Sequence, residues 1–214
     1  MSKVFIIGAN GKVGKNLVNI LVKTDHEVTV GLRNRERFSQ FEEKGVKPVY
    51  LNLEDNVEAF IEAMQGSEVI VFTAGSGGHT GFDKTILIDL HGAAKAIQAA
   101  ENISAKQFII VSSPNADRPE NWTDEKMTPY YIAKHHADRI LKESKLNYTI
   151  LRPGILSDEK GTGKITTDVT NSNLDSIPRE DVARVIVEAI GSMKAYKKII
   201  PFVEGDTLIK DLFA

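Results

Sequence analysis

The chain has 214 residues, 42% hydrophobic and 26% charged, with a formal net charge of −2, no cysteine and one tryptophan. That fits one globular domain with a substantial core and argues against two, and it excludes disulfides, thiol nucleophiles, cysteine-ligated zinc and iron–sulfur clusters. With no thiol, the chemistry has to come from oxygen, nitrogen or a cofactor, and near-neutral charge provides no overall field to attract nucleic acid or an anionic membrane.

The start of the chain shows no signal-peptide core, and no run approaches the roughly 18 apolar residues of a membrane span. A soluble cytoplasmic protein is expected. Short apolar runs at 4–7, 27–32, 48–51, 68–72, 107–111, 148–151 and 198–202 predict strands rich in Val and Ile. Val69-Ile70-Val71-Phe72 and Phe108-Ile109-Ile110-Val111 are apolar at every position, as in a parallel sheet covered by helices on both faces. Between the runs, amphipathic spacing predicts helices over 13–23, 57–65, 82–101, 129–142 and 180–190. Thr128-Pro129 reads as an N-cap followed by proline at the first helical position. Strand and helix alternating to the end predict one doubly wound α/β domain over 1–214, a Rossmann fold with right-handed crossovers. Its ligand loops lie at the carboxyl ends of the strands, and residues 75–82, 114–127 and 155–177 are expected as substrate loops.

After the first strand the chain reads Gly8-Ala9-Asn10-Gly11-Lys12-Val13-Gly14. Glycines at this spacing let the backbone turn sharply, let a pyrophosphate approach the main chain and let the helix pack on the strand. Such a turn can also be only a tight loop; its place between a predicted strand and a predicted helix favours the phosphate reading. Gly-Lys-Ser/Thr is absent, so this is not a P-loop. At the end of strand two, where an NAD-binding chain carries an acid, stands Arg33, about 20 residues past the last glycine. A guanidinium there can pair with a 2′-phosphate, with Arg35 or Arg37 adding to it. This reading makes NADP(H) the preferred cofactor, with NAD(H) possible; the alternative is a solvated basic loop.

Strand five ends in Val111-Ser112-Ser113-Pro114, and a later helix opens Pro129-Tyr130-Tyr131-Ile132-Ala133-Lys134. Tyr130 and Lys134, four apart, share one helical face. The lysine ammonium, helped by an oxidised nicotinamide, is expected to stabilise a phenolate whose ordinary pKa is about 10. Ser113 would hydrogen-bond a substrate oxygen and share the charge that develops there. The frame-shifted Tyr131 and His135 are a weaker pair, His135 and His136 cannot share a face, and no carboxylate/histidine spacing suggests a metal.

In these motifs the chain resembles the short-chain dehydrogenase/reductase superfamily, in its atypical NAD(P)H-binding branch of flavin/biliverdin-reductase-like and NmrA-like proteins. The resemblance spans nearly the whole length. It also draws on Asn52-Leu53, Thr73-Ala74-Gly75, Leu151-Arg152-Pro153-Gly154 and Pro178-Arg179-Glu180-Asp181-Val182-Ala183. It implies that Gly8, Asn10, Gly11, Val13 and Gly14, with Lys12, hold pyrophosphate and Arg33 the 2′-phosphate. It likewise implies that Asn52 and Leu53 flank adenine, although relatives more often have Asp at the first position. Thr73, Ala74 and Gly75 would border the ribose and the bridge to nicotinamide, Lys134 would bind the nicotinamide ribose, and Pro153 and Gly154 would pass beside the ring. Ser113, Tyr130 and Lys134 would be catalytic.

Two departures stand out: the glycine-rich Gly75-Ser76-Gly77-Gly78-His79, and a carboxyl-terminal segment too short for a large nucleotide-sugar substrate. The expected function is an NADPH-dependent oxidoreductase passing hydride to a small carbonyl, quinone or flavin-like substrate. The alternatives are a non-catalytic NADP(H)-sensing regulator and, behind it, an NAD(P)-dependent epimerase or dehydratase. The expected partner is a small molecule and the expected state a monomer or small homo-oligomer.

Overall fold

The structure is a computed structural model and describes residues 1–78, 80–169 and 175–214. His79 of the glycine-rich loop, and residues 170–174 of the segment expected as a substrate loop, lie outside the described residues. Strands β1 (Lys3–Ile7), β2 (Glu27–Leu32), β3 (Lys47–Tyr50), β4 (Val69–Phe72), β5 (Gln107–Val111), β6 (Tyr148–Pro153) and β10 (Lys198–Glu204) run parallel, in the order β10-β6-β5-β4-β1-β2-β3. The helices are α1 (Lys12–Leu21), α2 (Phe38–Glu42), α3 (Val57–Met64), α4 (Phe82–Lys84), α5 (Ala93–Asn102), α6 (Thr128–Glu143) and α7 (Arg179–Ala189). This is a doubly wound Rossmann-like α/β fold.

The period of two along the apolar strands divides their side chains between two cores. Val4 and Ile6 of β1 pack with Leu17 of α1 and Val182 and Ile186 of α7, while Phe5 and Ile7 face Phe60 of α3, Ala96 of α5 and Ala137 of α6. A buried Gln107 ties the far end of the sheet to α7. Its Nε2 donates to Thr149 Oγ1 and to Ala189 O, and its Oε1 accepts from Gly191 N–H at 2.8 Å. Every polar atom of that buried amide that can reach a partner has one, as burial demands.

Three parts of the chain depart from the sequence expectations. Residues 155–177 carry short strands where a loop was expected: β7 (Ile155–Ser157), β8 (Lys164–Thr166) and β9 (Ser176–Pro178). β9 pairs with β7, and β8 extends the main sheet antiparallel to β10, with β11 (Thr207–Leu208) outside it. The expected helix over 82–101 is interrupted by a π-helical stretch, Thr85–Gly92, between α4 and α5. Thr128 does not cap α6 with its side chain; its hydroxyl instead donates to Trp122 O and Asp124 O, at 3.0 and 2.8 Å, tying the preceding loop to the helix. Among the described residues, no helix is long and apolar enough to cross a membrane.

Strand order reverses between β1 and β4, which opens a crevice at their carboxyl ends. The glycine turn is packed into it. Gly8 has φ +92°, and a Cβ there would lie 2.5 Å from Ala74 N; one on Gly14 would lie 2.3 Å from Gly8 O. Both neighbours are backbone and cannot step aside. Gly14→Ala is therefore expected to cost about 2–4 kcal/mol. Gly78→Ala, with nothing within 4 Å of the new methyl, should stay within about 0.5 kcal/mol. Urea denaturation of the two variants checks the contrast, and equal losses would refute it.

Candidate functional site

The loops gathered at the crevice open on one cavity of about 1000 Å³. Its wall takes Gly11, Lys12 and Val13 from the first turn, Thr73, Ala74 and Gly75 after β4, and Ser112 and Ser113 after β5. Tyr130 and Lys134 of α6, with Pro153 and Gly154 at the end of β6, complete the part singled out in the sequence. Gly8 and Gly14 stand behind this wall and shape it. Asn10 reaches sideways, accepting at 3.1 Å from Arg37 Nη1, so Arg37 joins the basic loop to the glycine turn.

Arg33, Asn52 and Leu53 lie off the cavity. Arg33 is exposed just past β2. Asn52 Oδ1 closes a turn by accepting from Glu54 N–H at 3.2 Å, and Leu53 packs beside Gly92. Arg35 is drawn aside onto the Tyr50 ring, 5.0 Å from its centroid.

The amino end of α1 faces the cavity without a side-chain cap or an acidic residue in its first turn. Its free N–H groups and dipole suit an anion. At the rim, Lys12 and Arg179 both pair with Asp158, Arg179 Nη1 at 2.6 Å, so one carboxylate links the first turns of α1 and α7. The Lys12 ammonium beside it holds the Asp158 carboxyl below its ordinary range.

Charge on the floor is buried. Lys134, 3% exposed, has its Nζ 3.2 Å from Oδ1 of Asp89, which is 0% exposed. The ammonium also donates to Val111 O at 3.3 Å and lies 5.6 Å from the Tyr130 ring centroid. Burial works against the Lys134 charge, but Tyr130 and Asp89 outweigh it and hold the ammonium above its ordinary value. Burial pushes the Tyr130 phenol up; Lys134 pulls it back, while Asp89, Tyr131 and Asp138 add to the rise. Lys134 thus acts on the phenol in the direction expected of it, against burial and Asp89, which hold the phenol up.

Behind Ser112 lies a second buried pair. Arg152 donates from Nε and Nη2 to Asp138 Oδ2, at 3.2 and 2.8 Å, and its Nη1 meets Asp117 of the 114–127 loop. Burial raises the Asp138 carboxyl, against the pull of Arg152 and of the Ser112 hydroxyl. His135 serves packing: Nδ1 is hydrogen-bonded to Ala116 O at 2.8 Å and the ring meets Trp122 edge-on.

A family model described as NAD(P)H-binding matches residues 8–192. The chain belongs to the NAD(P)H-binding family. It is 43% identical over 210 residues to a Bacillus subtilis protein named uncharacterized sugar epimerase YhfK, covering 98% of this chain and 97% of that one. A solved structure from Bacillus halodurans, described provisionally as an NAD-dependent epimerase/dehydratase, is similar with a TM-score of 0.93 and 42% identity over 100% of this chain and 99% of that one. The structure of the oxidoreductase ylbE from Lactococcus lactis is similar with a TM-score of 0.88 and 35% identity, over 99% of this chain and 94% of that one.

The observed cradle fits the dinucleotide that names the NAD(P)H-binding family. A side chain at Gly8 or Gly14 would fill the turn, and the uncapped start of α1 supplies N–H groups for phosphate. Sequence reasoning missed Asp89, Asp138, Asp117 and the role of Arg152. The last stood in a quoted motif, but its pairing with a helical acid 14 residues earlier left no signal in the sequence.

Removing one partner of a buried pair strands the other. Arg152→Met should therefore cost about 3–5 kcal/mol in urea denaturation, and Arg152→Met/Asp138→Leu should regain most of that loss. A double variant as weak as the single would show the pair to be stabilising in itself.

Proposed function

We propose that the chain is an NADPH-dependent reductase of a small carbonyl, quinone or flavin-like acceptor. The observation that carries the reading is the convergence of Ser113, Tyr130 and Lys134 on the cavity that the glycine turn enters. When bound, NADPH supplies a hydride. Gly11–Val13 and the start of α1 would hold its pyrophosphate, Lys134 its nicotinamide ribose, and Pro153 and Gly154 would line its nicotinamide end. Ser113 would donate to the acceptor oxygen, and Tyr130 would give that oxygen its proton.

Preference for NADPH rests on the basic loop. Arg33 is exposed, and among the described residues it has no ion-pair partner, so its guanidinium is available to a 2′-phosphate. Arg37, already bonded to Asn10, brings a second positive charge to the same turn.

Two similar proteins carry epimerase in their descriptions. An epimerase returns the hydride it removes, so its turnover leaves the cofactor unconsumed, whereas a reductase consumes one NADPH per product. The phenol favoured at Tyr130 suits proton donation to a reduced substrate and supports the second behaviour.

Purified protein assayed for NADPH consumption on a panel of aldehydes, quinones and flavins should lose about 10²–10⁴-fold in kcat on Tyr130→Phe, with NADPH affinity retained. Arg33→Ala should weaken NADPH binding by about tenfold or more and leave NADH binding unchanged. Turnover indifferent to Tyr130→Phe, or product formed without NADPH loss, would overturn the reading.

A further inference from the structure

Asp89 is a carboxylate with 0% exposure, yet it lies on the wall of the cavity and belongs to none of the motifs that mark the fold. The π-helical stretch Thr85–Gly92 carries it. Such stretches are uncommon and change which side chains face inward relative to a regular helix, often at functional sites. Here the consequence is specific. Asp89 Oδ2 accepts from Ser76 N–H at 2.9 Å, and Oδ1 stands 3.2 Å from Lys134 Nζ. Gly75 leaves room for this approach, since a Cβ there would lie 3.1 Å from the same Oδ1. One carboxylate thus fixes the Gly75–Ser76 turn and meets the charge of the lysine on the Tyr130 face of α6.

Lys134 alone beside Tyr130 would favour a phenolate, because opposite charges attract strongly where water is excluded. Asp89 neutralises that lysine. With the phenol protonated, the buried Asp89–Lys134 pair and the half-buried Tyr130 are together neutral; ionising Tyr130 would leave a net negative charge with no further cation paired to it among the described residues.

The surrounding charges do not change this count. On α6, Asp138 is taken by Arg152. The 114–127 loop offers Asp124 and Lys126, one of each sign, on the same cavity. Across the cavity, Lys12 and Arg179 are held by Asp158.

We propose that Asp89 is a positioning residue that neutralises Lys134, so that Tyr130 stands as a proton donor and the form of the site competent for reduction dominates across neutral pH. The inference rests on the reductase reading for its consequence and on geometry for its cause. In the step it serves, the acceptor carbon gains a hydride, the carbonyl π pair moves to oxygen, and that oxygen takes the proton from Tyr130. The nicotinamide is oxidised by two electrons, and the tyrosine regains its proton from solvent. Alcohol oxidation needs the same tyrosine deprotonated, a form that the neutralised lysine leaves scarce until the solution is alkaline. The burial-driven rise of the phenol agrees with this assignment.

The test is an ultraviolet titration of phenolate in the full chain, with the Tyr130 step isolated by subtracting the matching Tyr130→Phe protein. In the parent the step should fall above the ordinary tyrosine value of about 10. Asp89→Asn, which keeps an acceptor for Ser76 N–H, should move it down by about one unit or more as Lys134 is left unopposed. Lys134→Gln, a second variant should Asp89→Asn fail to fold, should move it up. A Tyr130 step unmoved by Asp89→Asn or raised by it, or one lowered by Lys134→Gln, would overturn the proposal. The titration needs no turnover. Shifts as expected in a protein inactive on every acceptor would count against the reductase reading and leave the role of Asp89 standing. In an active protein, the alkaline limb of kcat/KM for reduction should move with the phenolate step.

Discussion

A charge taken out of water costs several kcal/mol unless an opposite charge meets it in good geometry. The carboxyl edge of this sheet buries Lys134 beside Asp89 and Arg152 beside Asp138. Neither pair is a surface ornament. Lys134 and Asp138 lie one turn apart on α6, so the helix that carries Tyr130 is pinned at both points, to the π-helical stretch on one side and to the end of β6 on the other. The loop between β5 and α6 is then held at Asp117 by the same Arg152. Pairing of buried charge thus fixes where three otherwise independent segments meet.

The first glycine turn is a constraint of another kind, steric instead of electrostatic. Gly8 lies against the backbone of Ala74, and Gly14 against that of Gly8 and Ala9. These contacts bring the loops after β1 and β4 together at the reversal of strand order, which is what creates the crevice. Two of the glycines therefore have a packing role that stands with or without a ligand, while Gly11 lies on the cavity wall. The same spacing that reads as a phosphate motif is also a requirement of helix–strand approach.

Much of the fold is legible because parallel strands buried on both faces are apolar at every position, a pattern that survives without any tertiary information. β4 and the Phe108–Val111 part of β5 are such runs. The strands within 155–178 are not: each has three residues, and Lys164, Ser157 and Ser176 dilute their apolar character. Their pairing is supplied by β10 and by each other, partners distant in sequence. The π-helical stretch leaves no mark on composition, since a helix of either kind satisfies the apolar spacing of 82–101. Asp89 and Asp138 look like solvent-facing helical acids until Lys134 and Arg152 are placed beside them. Tyr130 and Lys134 are visible as a pair because both stand on one helix; Asp89, which pairs with the lysine, comes from another.

Charge is distributed by depth in this cavity, and the depth matters for what each charge can do. Lys12 and Asp158 at the rim are well exposed, so their attraction is screened and their partners exchange readily. A phosphate arriving there would compete with a solvated carboxylate, while the N–H groups at the start of α1 carry no side-chain cap. On the floor the reverse holds. Asp89 and Lys134 have almost no contact with solvent, and exchange of partners would expose each to a desolvation cost that no water repays. A charged ligand would therefore find exchangeable partners at the rim, whereas the charges on the floor are cancelled by each other.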